Sequence, residues 1–198
     1  PAGAPQDLEV VPRSRFARID LPSEAGMQDV FRHLAKDQDR TNAIAAEAQG
    51  AFAQGRKVLV LTERTEHLDA IRAALDGHEP GPFVLHGRMS KQADDALIAQ
   101  LDALPPDAPR VLLATGKLVG EGFDHPPLDT LVLAMPVSWK GTLQQSAGRL
   151  HREHASKTGV RIIDFVDTGH PALVRMWDKR QRGYRAMAYR IAAEVGGS

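Results

Sequence analysis

Four apolar runs, set apart by stretches of helical periodicity, constrain what this chain can fold into. They are Lys57–Thr62 (KVLVLT), Arg110–Thr115 (RVLLAT), Leu128–Met135 (LDTLVLAM) and Val160–Val166 (VRIIDFV). Runs this continuously aliphatic suit strands buried on both faces, as in a parallel sheet covered by helices. Phe83–His86 adds a short strand. Between the runs, Leu68, Ile71 and Leu75 mark one helix. A second, with Ala93, Leu97, Leu101 and Leu104 facing inward, follows Ser90, which can cap it. Thr142–Arg152 is a third. Strands alternating with helices mean βαβ units and right-handed crossovers. The expected fold is a three-layer α/β domain with a mainly parallel sheet.

The flanks read differently. Residues 1–22 hold Pro1, Pro5, Pro12 and Pro22 and suggest a linker or lead-in strand. Met27, Val30, Phe31 and Leu34, then Ile44, Ala48, Ala51 and Phe52, give two helical faces before Gly55. The expected division is 1–55 as linker and helical lead-in, 56–170 as the α/β lobe, and 171–198 as a C-terminal helix packed on it. Over 171–195 the period puts Leu173, Trp177, Tyr184, Ala188, Ile191 and Val195 on one side. Arg175, Lys179, Arg182 and Arg190 share the other. That cationic side is either a solvated face over a docking stripe or a surface that tracks a nucleic-acid strand.

With 198 residues, 42% of them hydrophobic, the chain is long enough for a real core. Its formal net charge is zero, so any grip on nucleic acid must be local. The absence of cysteine excludes disulfides, thiolate chemistry and Cys-based zinc sites. No apolar run approaches the roughly 20 residues of a membrane helix, and no signal peptide opens the sequence. A soluble cytoplasmic protein without membrane partners is expected. A start at Pro1 suggests a processed chain or a piece of a larger one.

Gln144–Arg152 (QQSAGRLHR) carries the sharpest chemical signal. On a helix Gln145, Arg149 and Arg152 fall at i, i+4 and i+7 and project along one stripe. Two guanidiniums and an amide make poor core, but they suit a triphosphate, since Arg offers a rigid fork of donors to phosphate oxygens. Gly148, without a Cβ, lets another surface come close. A solvated amphipathic helix would read the same in isolation. The second signal is Ala114–Pro126 (ATGKLVGEGFDHP), a glycine-rich loop directly after a buried strand, which exposes amide donors to anions.

Gln-x-x-Gly-Arg-x-x-Arg at this place resembles motif VI of superfamily 2 helicases, and Ala114–Pro126 resembles their motif V. Val58–Thr62 followed by Glu63-Arg64 is similar to motif IV, and His86-Gly87-Arg88-Met89-Ser90 to a strand-end His-Gly segment of such helicases. The four come in family order across about residues 56–166. The resemblance implies the second, C-terminal RecA-like lobe of an ATP-dependent helicase or translocase. Arg149 and Arg152 would be arginine fingers, with Gln145, Gly122 and Asp124 beside the nucleotide. Thr62, Gly87, Arg88, Thr115 and Gly116 would touch the nucleic-acid backbone.

Gly116-Lys117 does not make a phosphate-binding loop, because no glycine precedes it in the strand and Leu118 follows where Ser or Thr is required. Nor is there an acidic box for magnesium. Both belong to the first lobe in helicases, so ATP with Mg²⁺ would be held mainly by an N-terminal lobe of the same parent. The wording of Gly120–Arg152 is most similar to bacterial type III restriction-subunit-like and DEAD/DEAH-type DNA helicases. It departs from DEAD-box proteins, whose motif VI opens with His-Arg and which act on RNA, so DNA is favoured over RNA. Alternatives are a non-catalytic helicase-like binding or interaction module and a sugar-nucleotide transferase lobe. His151 and His154, with Glu153 between them, have no evident third ligand and are flanked by Arg149 and Arg152, so no metal site is expected.

Overall fold

The computed structural model describes residues 7–85, 89–116, 123–137, 143–151, 157–193 and, as backbone, 195–197. Its core is a parallel sheet. The strands are β1 (Asp7–Arg15), β2 (Lys57–Thr62), β3 (Phe83–Leu85), β4 (Arg110–Thr115), β5 (Thr130–Leu133), β6 (Gly159–Asp167), β7 (Arg190–Ile191) and β8 (Val195–Gly197). Their order across the sheet is β3-β4-β2-β5-β6-β1-β7, with β8 also pairing β1. The helices among the described residues are α1 (Met27–Lys36), α2 (Gln38–Ala53), α3 (Thr65–Ala74), α4 (Lys91–Asp102), α5 (Gln144–Leu150) and α6 (Pro171–Ala186).

The strand period sorts the core into two layers. Val58 and Val60 of β2 face α2 and α3, together with Val111, Leu113, Val132 and Ile163. Leu59 and Leu61 face the other way, with Leu112, Leu131, Leu133 and Ile162, towards α4, α5 and α6. Every residue of β2, β4 and β5 is buried, as the aliphatic runs required. α1 packs Val30 and Leu34 in a third cluster with Ile19, Met135 and Leu173. Ser90 caps α4 as expected, its hydroxyl accepting from the Ala93 amide at 3.1 Å. Ala93 itself is exposed, and Leu101 is the fully buried residue of that helix.

Of the two readings of the first flank, linker or lead-in strand, residues 7–15 are the strand: β1 lies in the sheet and pairs β6 over nine residues, from Asp7 opposite Gly159 to Arg15 opposite Asp167. On its other side β1 meets β7 at Glu9 and Val10 and β8 at Arg13–Arg15. That outer pairing breaks at Val11 and Pro12, where proline has no N–H to give. The segment after β1 is fastened by Gly169, whose oxygen accepts from the Ile19 amide at 3.1 Å. A Cβ on Gly169 would run into the Ala17 carbonyl.

One flank expectation needs correction, at the tail. The helix expected to run over 171–195 stops at Ala186, and Ala188 takes a left-handed φ of 67°. The Tyr189 amide donates to the Tyr184 carbonyl and the Ala188 amide to that of Arg185, each at 3.0 Å. This is a Schellman closure with alanine where glycine usually sits. The chain then returns to the sheet, so Arg190 stands on β7 and not on the helix.

Candidate nucleotide and nucleic-acid interface

The candidate residues separate into two groups by topology. Thr62 ends β2, Thr115 ends β4, and the two are register partners in adjacent strands. Gly116 follows Thr115 and is buried. These three therefore lie together at the carboxyl edge of the sheet, where ligands of open α/β sheets bind. Gly87 and Arg88 lie outside the described residues.

Beneath that edge is a buried polar layer which the sequence reading missed. Arg40 of α2 is fully buried. Its Nη2 donates to Asp167 at 3.0 Å, and its Nη1 to the carbonyl of Ala134. It thus joins the ends of β5 and β6, with the Phe165 ring 5.6 Å from its Cζ. The Thr62 hydroxyl, expected at a phosphate, is turned inward and lies 2.8 Å from Nδ1 of His67. Thr62 is 1% exposed, so its side chain supports the edge from below while Thr115, at 8%, stands nearer the surface. Burial, and then the charge of Arg40, push His67 down to about 3, so it is a neutral imidazole.

The nucleotide candidates lie elsewhere. α5 follows β5 and runs back along the sheet, burying Ser146, Ala147 and Leu150. Gln145 is exposed and Arg149 half-buried, one turn apart on the outward side as the spacing required. No ion pair engages Arg149 among the described residues. Around Gly148 a Cβ would meet nothing within 4 Å, so this side of the helix is open to a partner surface. The path into β5 returns to the amino edge, where the Asp129 amide meets the Lys57 carbonyl at 3.1 Å. Asp124, half-buried, lies on that path. Beside it His125 Nε2 accepts from Arg110 at 3.0 Å and its Nδ1 faces Asp102 at 3.0 Å. Gly122 and Arg152 lie outside the described residues.

The end of α5 is anchored to the tail. His151 Nε2 and the Tyr189 hydroxyl lie 2.7 Å apart. Burial, and next Lys157, hold His151 below the ordinary imidazole value, while burial raises Tyr189, so the phenol donates and the imidazole accepts. Tyr189 packs on Tyr184, with ring centroids 6.0 Å apart. The Tyr184 hydroxyl donates to Asp164 at 2.7 Å. Arg180 grips the same carboxylate at 2.8 and 2.9 Å. Burial works against the Arg180 charge, but Asp164 outweighs it and the guanidinium is held above its usual value. Asp164 was the legible signal, an acid within an otherwise buried strand that must find a partner.

The family described as "Helicase conserved C-terminal domain" matches residues 40–154, more than half of the chain. The chain belongs to that family. Its fold is the RecA-like α/β fold of helicase C-terminal lobes. A probable helicase, D10 of Escherichia phage T5, is 28% identical over 180 residues, covering 91% of this chain and 37% of the phage protein. Among solved structures, T4 UvsW superposes with a TM-score of 0.71 at 18% identity, covering 94% of this chain and 42% of that one. Saccharomyces cerevisiae Dbp5 bound to RNA and ADP BeF3 gives 0.61 at 14% identity, over 96% and 41%. At such identities the two structures establish the fold. The chain thus spans 37% of the length of its phage relative. No helix among the described residues is long and apolar enough to cross a membrane.

Proposed function

We propose that this helicase C-terminal domain is the second lobe of an ATP-dependent nucleic-acid motor, completing a nucleotide site built mainly by a first lobe. The observation that carries this reading is α5, which buries its small and apolar side and turns Gln145 and Arg149 outward with no acid engaging the guanidinium among the described residues. A guanidinium left without an anion beside an exposed amide fits a polyphosphate. ATP with Mg²⁺, held mainly by the first lobe, supplies the phosphoanhydride whose cleavage drives the motor. Arg149 and Arg152 donate to its phosphate oxygens and offset the charge that develops during transfer, a role worth on the order of 10³–10⁵ in turnover. Gln145, Gly122 and Asp124 border the nucleotide.

At the carboxyl edge Thr115 and Gly116, with Gly87 and Arg88, hold the nucleic-acid backbone, and Thr62 fixes the edge through His67. DNA is the favoured substrate. Lobe closure couples the two groups, because Thr115 at the end of β4 and α5 after β5 are carried by one sheet. The test is steady-state ATP hydrolysis by this chain alone and by a parent carrying both lobes. The isolated chain is expected to be inactive and the parent to be stimulated by nucleic acid. Robust hydrolysis by the isolated chain would overturn this division of labour.

A further inference from the structure

Acids and bases balance in this chain at 25 each, and many of its arginines are neutralised within the fold. Arg13 meets Glu47 at 2.6 Å, Arg32 meets Asp29 at 2.9 Å, and Arg64 meets Glu66 at 2.7 Å. Arg190, which the helical period put on the cationic side of the tail, sits on β7 and bonds Glu9 at 2.6 Å. The outer face of α6 is different. Arg175, Lys179, Arg182 and Arg185 are all exposed there. The first three make no ion pair or hydrogen bond among the described residues, and Arg185 has only a 3.5 Å contact with Gln181. Positions 175, 179 and 182 form a single stripe, which with 185 extends about 15 Å at the helical rise.

Folding has no use for this stripe. Like charges at helical neighbour spacing repel, and α6 is secured from its other side by Leu173, Trp177 and Tyr184 and by the buried pairing of Arg180 with Asp164. That anchorage makes the stripe a rigid row of cations. Val174 is the large exposed apolar side chain on this helix, and no aromatic ring stands among the cations to stack a base. α6 also begins just after β6 ends, so it starts on the carboxyl side of the sheet, the side on which β4 ends at Thr115 three strands away.

We propose that the outer face of α6 is a second nucleic-acid contact, gripping the phosphate backbone without regard to base sequence. It rests on the nucleic-acid reading above and extends the path from Thr115 and Gly116 along the helix. Asp178, exposed between the cations, is the one acid on this face and weakens the grip.

The test is fluorescence anisotropy of the 198-residue chain with labelled single-stranded DNA, duplex DNA and RNA across a potassium chloride series. The triple variant Arg175→Gln, Lys179→Gln, Arg182→Gln is expected to bind on the order of tenfold more weakly at low salt. Its log–log salt slope should shrink by about 0.9 per lost contact on duplex or about 0.7 on single strands. Asp178→Asn should tighten binding several-fold, a gain that a folding defect cannot mimic. Circular dichroism verifies that each variant is folded. Wild-type binding with an unchanged triple variant on all three probes overturns this proposal alone and leaves an acidic partner for the stripe. If the wild-type chain binds none of the probes, the nucleic-acid reading falls and the stripe falls with it.

Discussion

His151 and Tyr189, one closing the helix that carries Arg149 and the other in the tail, share a hydrogen bond of 2.7 Å across 38 residues of sequence. Tyr189→Phe keeps the ring against Tyr184 but leaves the His151 acceptor unmet. The expected cost is about 1 kcal/mol, seen as a drop of about 2–4 °C in the melting temperature. An unchanged melting temperature would mean that the bond does not secure the end of α5.

His67 gives the fold a pH dependence. Its native value is about 3 against an ordinary 6.5, so between these the unfolded chain binds a proton that the native chain does not. Its stability is therefore full above 6.5 and falls with the pH towards 3, by about 1.4 kcal/mol per unit. Urea denaturation at neutral pH and near pH 5 should show a loss of about 2 kcal/mol that is reduced in His67→Gln. An equal loss in the variant would place the sensitivity elsewhere.

Ala188 holds a left-handed backbone at φ 67° in an exposed position. Ala188→Gly removes the Cβ strain of that conformation, so the chain should gain about 0.5–1 kcal/mol. Thermal denaturation would contradict this by showing a loss, the usual result of placing glycine in a helix.

Arg180 and Asp164 are 1% and 0% exposed. Arg180→Met strands a buried carboxylate and should cost about 3–5 kcal/mol, whereas Arg180→Met with Asp164→Leu should recover much of that loss. A double variant as unstable as the single one would show that the pair contributes more than mutual neutralisation. Chemical denaturation reads both.

The sheet was legible because its inner strands are buried on both faces, and a continuous aliphatic run such as Lys57–Thr62 admits few other readings. β1 was legible only as one of two readings, linker or strand: Val10, Pro12 and Ser14 face the core, a pattern that Pro12 and flanking charges disguise. The tail deceived for another reason. Ala188, Ile191 and Val195 continue the helical period, and no glycine announces a stop. What ends α6 is tertiary, the contacts of Tyr189 with Tyr184 and His151 and the pairing of β7 with β1. Within the candidate site, the spacing of Gln145 and Arg149 fixed their shared face. Thr62 and His67 escaped because nothing in a strand-end threonine tells whether its hydroxyl points out or into a buried imidazole.

The most direct test of the motor reading is steady-state ATP hydrolysis by the two-lobed parent, comparing wild type with Arg149→Ala and Arg152→Ala, each with and without DNA or RNA. The account predicts stimulation of wild type by one nucleic acid and a loss on the order of 10³-fold or more in each variant, with ATP binding retained. Variants that hydrolyse ATP like wild type would contradict it, and α5 would then be a binding face without catalytic arginines.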